Sequence, residues 1–385
     1  MTETDSTHTD LIIAGGGPVG LFLALLMLQN GKSVTILEKR NGIDHHSKAL
    51  GIHPVSLELF RDAGIAEPFV ESGIRIKRGF AYLDRNKIGV IDFEKLCPEP
   101  FSYILALPQY QTETILEQEV RALNPDSIVR GAEVRKISHS ADGVSVVYRK
   151  HGVEKTIRGT FLAGCDGKNS VVRQSAGIPY TGNPYPDTYI MGDFEENTPF
   201  GTDAAVYLHR HGLIEAFPLP NGMRRWVIKT EQFIEEPVRD ELIKRVEKQI
   251  GHSLKTCRNT MMSSFGVQHY LAERFHEGRI VLAGDSAHVV SPIGGQGMNL
   301  GWLNGYQLAM QLLKAMDQPD IYEQHFRHYS KEARKRAKVT AKRAELNMWL
   351  GRARSYPAFR NLLARLMVQT PLKKKAARMF TMRGI

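Results

Sequence analysis

An α/β fold is predicted for this 385-residue chain from three short apolar strands, each ending in a glycine-marked turn. Residues 11–14 run into AGGGPVGL, residues 161–164 into Cys165, Asp166 and Gly167, and residues 280–283 into Gly284 and Asp285. A strand that turns on glycine into a helix leaves backbone N–H groups uncovered, with the positive end of the helix dipole behind them. Between and after these segments the pattern changes, first to alternating β-like stretches and then to long helical periodicity. The expected architecture is therefore a Rossmann-like nucleotide-binding domain with an inserted β-sheet domain and a helical C-terminal region.

Composition bounds the reading. With 42% apolar residues the chain can bury a large core, and its length suggests two or three lobes. It contains no apolar run of 18 residues, and MTETDSTHTD is polar and acidic, so a cytoplasmic protein is expected. Cys97, Cys165 and Cys257 are too few and too far apart for a disulfide framework or a metal site, and no metal is expected. The net charge of +10 is local. Residues 330–385 hold 16 Lys and Arg against Glu332 and Glu345, and the rest of the chain sums to −4. No aromatic-basic pattern or zinc-finger spacing accompanies that basicity, so no nucleic acid partner is expected.

The first unit covers residues 10–37. Gly15, Gly17 and Gly20 form GxGxxG, with Pro18 and Val19 between them, and the strand at residues 33–37 ends at Glu38. The first glycine permits a tight turn, the second admits a pyrophosphate to the helix N–H groups, and the third lets helix pack on strand. Glu38 suits ribose hydroxyls, which favours FAD or NAD over NADP. Lys48, in the loop before a helix starting near Pro54, either neutralises a cofactor phosphate or is a solvated lysine. Gln109 precedes the helical pattern of residues 111–123 and either meets a ligand or caps the helix. Strands are expected at residues 127–134, 135–140, 144–149 and 156–161, as a meander.

GxGxxG, the Asp166-Gly167 segment and the Gly284-Asp285 segment occur in an order and at separations that resemble the class A flavoprotein aromatic hydroxylases. This is the group of para-hydroxybenzoate hydroxylase and of the polyketide and ubiquinone-pathway hydroxylases, and the resemblance covers nearly the whole chain. It implies bound FAD, NADH or NADPH as electron donor, and oxygen insertion into an electron-rich phenolic substrate through a flavin C4a-hydroperoxide. It also implies site residues. The first glycine loop would hold the FAD pyrophosphate and Glu38 the adenosine ribose. Val134 would meet adenine, Gln109 would match the glutamine before the helix, and Asp166 and Gly167 would serve FAD and the nicotinamide. Asp285 would contact the ribityl chain, and Pro292, Gly294, Gly295, Gln296, Gly297, Met298 and Asn299 would lie against the isoalloxazine. Ser47-Lys48-Ala49 departs from the usual Ser-Arg-Ala and leaves the nicotinamide preference open.

The implied division is residues 1–184 and 271–318 for FAD, 185–270 for the substrate lobe and 319–385 for a basic helical end. In the lobe, strands are expected at residues 189–194, 204–209, 213–217 and 225–230, with a helix over 237–250. Tyr207, His209 and Phe217, or the opposite parity, would line the substrate cavity. The helices from Pro319 through Lys342 and from about Pro357 carry an apolar face of Leu362, Leu363, Leu366 and Met367 beside Arg360 and Arg365. That face either contacts an anionic membrane or packs on its own domain. An FAD-dependent prenyl-lipid reductase and a flavin-binding protein without turnover are the alternatives. A halogenase would need WxWxIP, which Trp226, Trp302 and Trp349 do not provide.

Overall fold

The computed structural model describes residues 3–45, 49–352 and 357–384. Apolar runs without alternation make buried strands, and five of them form the parallel core of the first sheet. Their order is Ile280–Leu282, Val153–Gly164, Glu3–Ala14, Val34–Glu38 and Ile128–Arg130. Leu11, Ile12, Ile13 and Val281 are fully buried, as strands covered on both faces require. The helix Pro18–Gln29 is buried from Gly20 through Met27 because it lies under the sheet and against helices Gln109–Leu123 and Gln296–Asp317.

The strand Val153–Gly164 belongs to two arrangements. Residues 153–159 pair antiparallel with Val144–Lys150, which pairs in turn with Glu133–His139, while residues 162–164 pair parallel with Ile280–Leu282. The strand expected over residues 127–134 is divided. Gly131, at φ +68°, turns the chain, so Ile128–Arg130 closes the parallel sheet and Glu133–His139 enters the meander.

A second sheet has eight strands in the order His288–Val289, Asn259–Ala272, Tyr180–Glu195, Met223–Thr230, Gly212–Leu219, Ala204–His209, Arg78–Leu83 and Asn86–Asp92. The four strands expected in the lobe are present, but the sheet also recruits residues 78–92 through a parallel pairing of Arg78–Leu83 with Ala204–His209. One face packs on the helix Arg239–Ile250, with Ile190, Tyr207, Trp226 and Ile228 against Leu242, Ile243 and Val246. That helix carries Asp240 and Glu241 in its first turn and stops at left-handed Gly251, so its ends suit its dipole and its cap. The other face turns toward the first sheet.

The C-terminal helices are Tyr322–Gly351, Ala358–Gln369 and Leu372–Phe380. They pack on the protein. Ala337, Ala341 and Met382 join Val290 and Leu300, and Ala376 and Ala377 join Ile91, Phe93 and Cys97. Arg360 is not on an exposed basic face: it is buried and donates to the carbonyls of Leu208, His209 and Arg352. The expected apolar face is divided, with Leu362 and Leu366 exposed while Met367 turns inward. Among the described residues no helix is long and apolar enough to cross a membrane.

A Cβ added at Gly20 would stand 2.1 Å from the Gly15 carbonyl oxygen, a backbone atom that cannot swing aside. Gly20→Ala is expected to destabilise the protein by about 1–3 kcal/mol. Urea denaturation measures this, and an unchanged midpoint would show that helix and strand can separate without loss.

Candidate functional site

Between the two sheets lies one continuous cavity of about 850 Å³, at the upper end of the range of small-molecule sites. Its first end is built by the turn after Glu3–Ala14. Gly15 sits at φ +102°, and a Cβ on Gly17 would meet nothing within 4 Å, so this backbone is bare toward the cavity. Pro18 and Val19 line the same wall at the start of their helix. Glu38, at the end of the neighbouring strand, accepts hydrogen bonds from the Gly16 N–H at 2.7 Å, the Arg40 N–H at 2.8 Å and the Arg40 Nε at 3.0 Å. Burial pushes its carboxyl up, but these donors and the Arg40 charge bring it below the usual range. Arg40 also reaches Glu113 at 3.5 Å, and Gln109 donates to Glu113 at 2.8 Å. Val134 lines the cavity beside Ala132 and Glu133.

The middle of the cavity carries two carboxylates. Asp166 uses Oδ2 to accept the Val172 N–H at 3.1 Å, while its buried Oδ1 has no partner among the described residues. Burial raises it. Asp285 exposes its carboxylate to the cavity while protein surrounds it, and burial pushes it up to about 6. Gly167 lies beside Asp166 with open space where a Cβ would be.

At the far end Pro292, Gly294, Gly295, Gly297 and Met298 line the wall. Gly294 and Gly295 are left-handed, at φ +89° and +65°, and present the N-terminus of the helix Gln296–Asp317 to the cavity. Beyond them the second sheet supplies Met191, Val206, Leu208, Phe217, Val227 and Phe265. The C-terminal helices complete the enclosure with Asn347, Ala364, Met367 and Phe380.

Several expected residues stand elsewhere. Tyr207 is on the opposite face of its strand, stacked on Tyr82 at 4.5 Å, because Val206 and Leu208 take the cavity parity. His209 shares the parity of Tyr207 and accepts the His211 N–H, outside the cavity lining. Phe217 is in the lining. Gly20 is buried against Gly15, where it serves packing. Gln296 is buried behind the wall rather than in it. Asn299 is also behind it, with its amide fully engaged: it donates to Gly51 and Gly295 carbonyls and accepts from the His53 N–H and the Ser56 hydroxyl, all within 2.7–2.8 Å. Lys48 lies outside the described residues.

Other lining residues escaped the sequence reading. Arg40 meets Glu38 locally, but only the fold brings Glu113 to Arg40. His53 is buried, and burial lowers it to about 4, so it is neutral at pH 7. Asn347, near the end of the basic helix Tyr322–Gly351, gave no signal. Glu215 did carry one, an acid at an apolar parity between Leu213 and Phe217. Among the described residues no cluster of His, Cys, Asp and Glu could hold a metal ion.

A parallel sheet with a dinucleotide-type glycine turn, joined through one cavity to a mixed sheet with an apolar face, defines a dinucleotide-binding α/β protein with an apolar second chamber. The profile of the family described as FAD binding domain matches residues 8–344. The chain is 34% identical over 317 residues to an uncharacterized aromatic compound monooxygenase of Bacillus subtilis, covering 80% of this chain and 62% of that protein. It is 32% identical over 320 residues to the rifampicin monooxygenase of Streptomyces venezuelae, covering 80% and 64%. The anhydrotetracycline hydroxylase of Streptomyces rimosus superposes with a TM-score of 0.80 at 26% identity, over 98% of this chain and 77% of that one. The p-nitrophenol 4-monooxygenase of Pseudomonas putida shares the fold, with a TM-score of 0.88 at 22% identity over 97% of both chains. The chain therefore belongs to the FAD-binding-domain family, alongside class A flavoprotein hydroxylases, and spans about three fifths of the length of the two curated relatives.

The cavity fits FAD. It offers a bare glycine backbone at a helix N-terminus for a pyrophosphate, an unpartnered Asp166 oxygen, a cavity-facing Asp285 and a second helix N-terminus for the flavin end. Gly17→Ala is expected to leave the thermal midpoint near wild type but to weaken FAD binding at least tenfold, as titration of the apoprotein would register. Hydroxyls donating to Asp285 would favour its charged form, so FAD affinity is expected to fall as pH drops through about 6. Asp285→Asn should flatten that dependence. Equal dissociation constants for the wild type on both sides of this range would remove the role.

Proposed function

We propose that the protein is an FAD-dependent monooxygenase that hydroxylates an electron-rich aromatic ring, with NADH or NADPH as electron donor. The observation that carries this reading is the continuity of the cavity from Gly15 and Glu38, past Asp285, to an apolar sheet face. One end suits a dinucleotide and the other a planar apolar substrate. Bound FAD would supply hydride acceptance and oxygen activation.

The chain's own residues bind, orient and exclude water. The Gly15–Val19 backbone would take the pyrophosphate, Glu38 the ribose hydroxyls, the backbone near Val134 the adenine, and Asp285 the ribityl hydroxyls. Backbone N–H groups at Gly295, Gly297 and Met298 would stabilise negative charge on the flavin ring after reduction. The apolar wall of Val206, Leu208, Phe217 and Val227 keeps water from the reacting end. Lys48 is the candidate for a phosphate or the nicotinamide nucleotide.

Incubating the FAD-loaded protein with NADH or NADPH and a panel of phenols should give substrate-accelerated nicotinamide oxidation and a product heavier by one oxygen atom. Acceleration without oxygen uptake would instead identify a reductase.

Peripheral contact with an anionic membrane is the second part of the proposal. Phe359, Leu362, Leu366 and Leu372 are exposed within 14 residues of one another, beside Arg365, Lys373, Lys374 and Lys375. Because these helices also wall the cavity, point substitutions test the idea better than truncation. Leu362→Ser with Leu366→Ser should abolish co-sedimentation with phosphatidylglycerol vesicles while FAD binding persists; equal sedimentation of both proteins would refute the contact.

A further inference from the structure

Strand Gly212–Leu219 alternates across its sheet, so Leu213, Glu215 and Phe217 face the cavity together. Glu215 is 8% exposed and forms no side-chain hydrogen bond or ion pair among the described residues. Its cross-strand neighbours Val206 and Val227 are apolar and line the same wall. A buried carboxylate without a donor is costly, and in a well-formed cavity that cost points to a donor brought by the ligand.

The cations of this sheet face do not answer it. Arg225 is held by both oxygens of Asp193, at 2.7 and 2.8 Å. Lys229 and Arg352 both engage Asp187, at 3.1 and 2.7 Å. Asn347, also in the lining, has both amide atoms unpartnered among the described residues. The lining at the substrate end thus presents a carboxylate acceptor, Glu215, and a neutral amide, Asn347, while Arg225 in the same lining is already paired with Asp193. An aromatic carboxylate would be repelled by Glu215 and would find no unpaired cation at this end among the described residues.

We propose that Glu215 recognises the substrate, accepting a hydrogen bond from the hydroxyl of an uncharged phenolic ring, and that the cavity discriminates against rings bearing a carboxylate. This rests on the aromatic-substrate reading above and names the class of ring. Within the complex the phenolic O–H can break toward Glu215: the proton moves to a carboxylate oxygen, the electron pair stays on the phenol oxygen, and the ring gains electron density at its ortho and para carbons. Burial lifts the free Glu215 carboxyl to about 7, so the acceptor is charged above that pH and lost below it. Phenol affinity should accordingly fall as pH drops through about 7, and fall again where the free phenol itself ionises.

The test uses the full-length, FAD-loaded protein with 2-naphthol and its methyl ether, 2-methoxynaphthalene, as probes followed by fluorescence. Wild type should prefer naphthol by about tenfold or more at pH near 8, the range expected for a hydrogen bond to a charged acceptor. The preference should shrink on the acid side of 7. Glu215→Gln, with an unchanged flavin spectrum and thermal midpoint, should bring the two probes within about threefold of each other and remove the pH dependence. Equal binding of both probes by wild type, or a Gln variant that keeps the full preference, would overturn the proposal. The wild-type pH series decides the matter even if a variant fails to fold. A Glu215-dependent preference without any oxygenated product would sustain the recognition role and retire the monooxygenase reading instead.

Discussion

Much of the site depends on the side chain of Asn299. Its amide donates to the carbonyls of Gly51 and Gly295 and accepts from the His53 N–H and the Ser56 hydroxyl, so four groups from separate parts of the chain fill all four of its hydrogen-bonding positions. This fastens the first turn of Gln296–Asp317 to the start of the helix Pro54–Asp62 and keeps left-handed Gly294 and Gly295 facing the cavity. A fully satisfied buried polar group of this kind rigidifies what it joins, and here it joins two walls of one chamber.

Polarity is graded along that chamber. Near Gly15 the wall is bare backbone, a helix N-terminus and the Glu38–Arg40–Glu113 chain of charges, suited to phosphate and hydroxyls. Toward the second sheet it becomes Val206, Leu208, Phe217 and Val227. Carboxylates raised by burial, Asp166, Asp285 and Glu215, are spaced along it. Such groups are expensive to hold empty and gain most from a bound partner, which is why the cavity reads as one binding path rather than a packing defect.

The C-terminal helices have a dual character for a physical reason. Ala364, Met367 and Val368 turn to the cavity and the Asn86–Asp92 strand, while Leu362 and Leu366 on the same helix face outward. Helical periodicity identifies an apolar helix but not how many surfaces it meets. The basic residues likewise divide, since Arg360 is drawn inside by the carbonyls of Leu208 and His209 and Lys373 to Lys375 remain outside.

By itself the sequence determined whatever depends on local chemistry. Gly15 and Gly20 announce a strand-turn-helix because only glycine tolerates the backbone of the first and the closeness of the second, Gly17 leaves the turn open to a ligand, and the order of the three turn motifs announces the family. The strands of the lobe were legible from alternation as well. Tertiary structure decided which face of each strand turned inward, placing Val206 and Leu208 in the cavity and Tyr207 against Tyr82. It also brought residues 78–92 into the second sheet, put Asn347 and Glu215 into one cavity lining and left Glu215 without a partner among the described residues. Parity and partnership are long-range properties: a strand of period two has two equivalent faces until another layer packs against one of them.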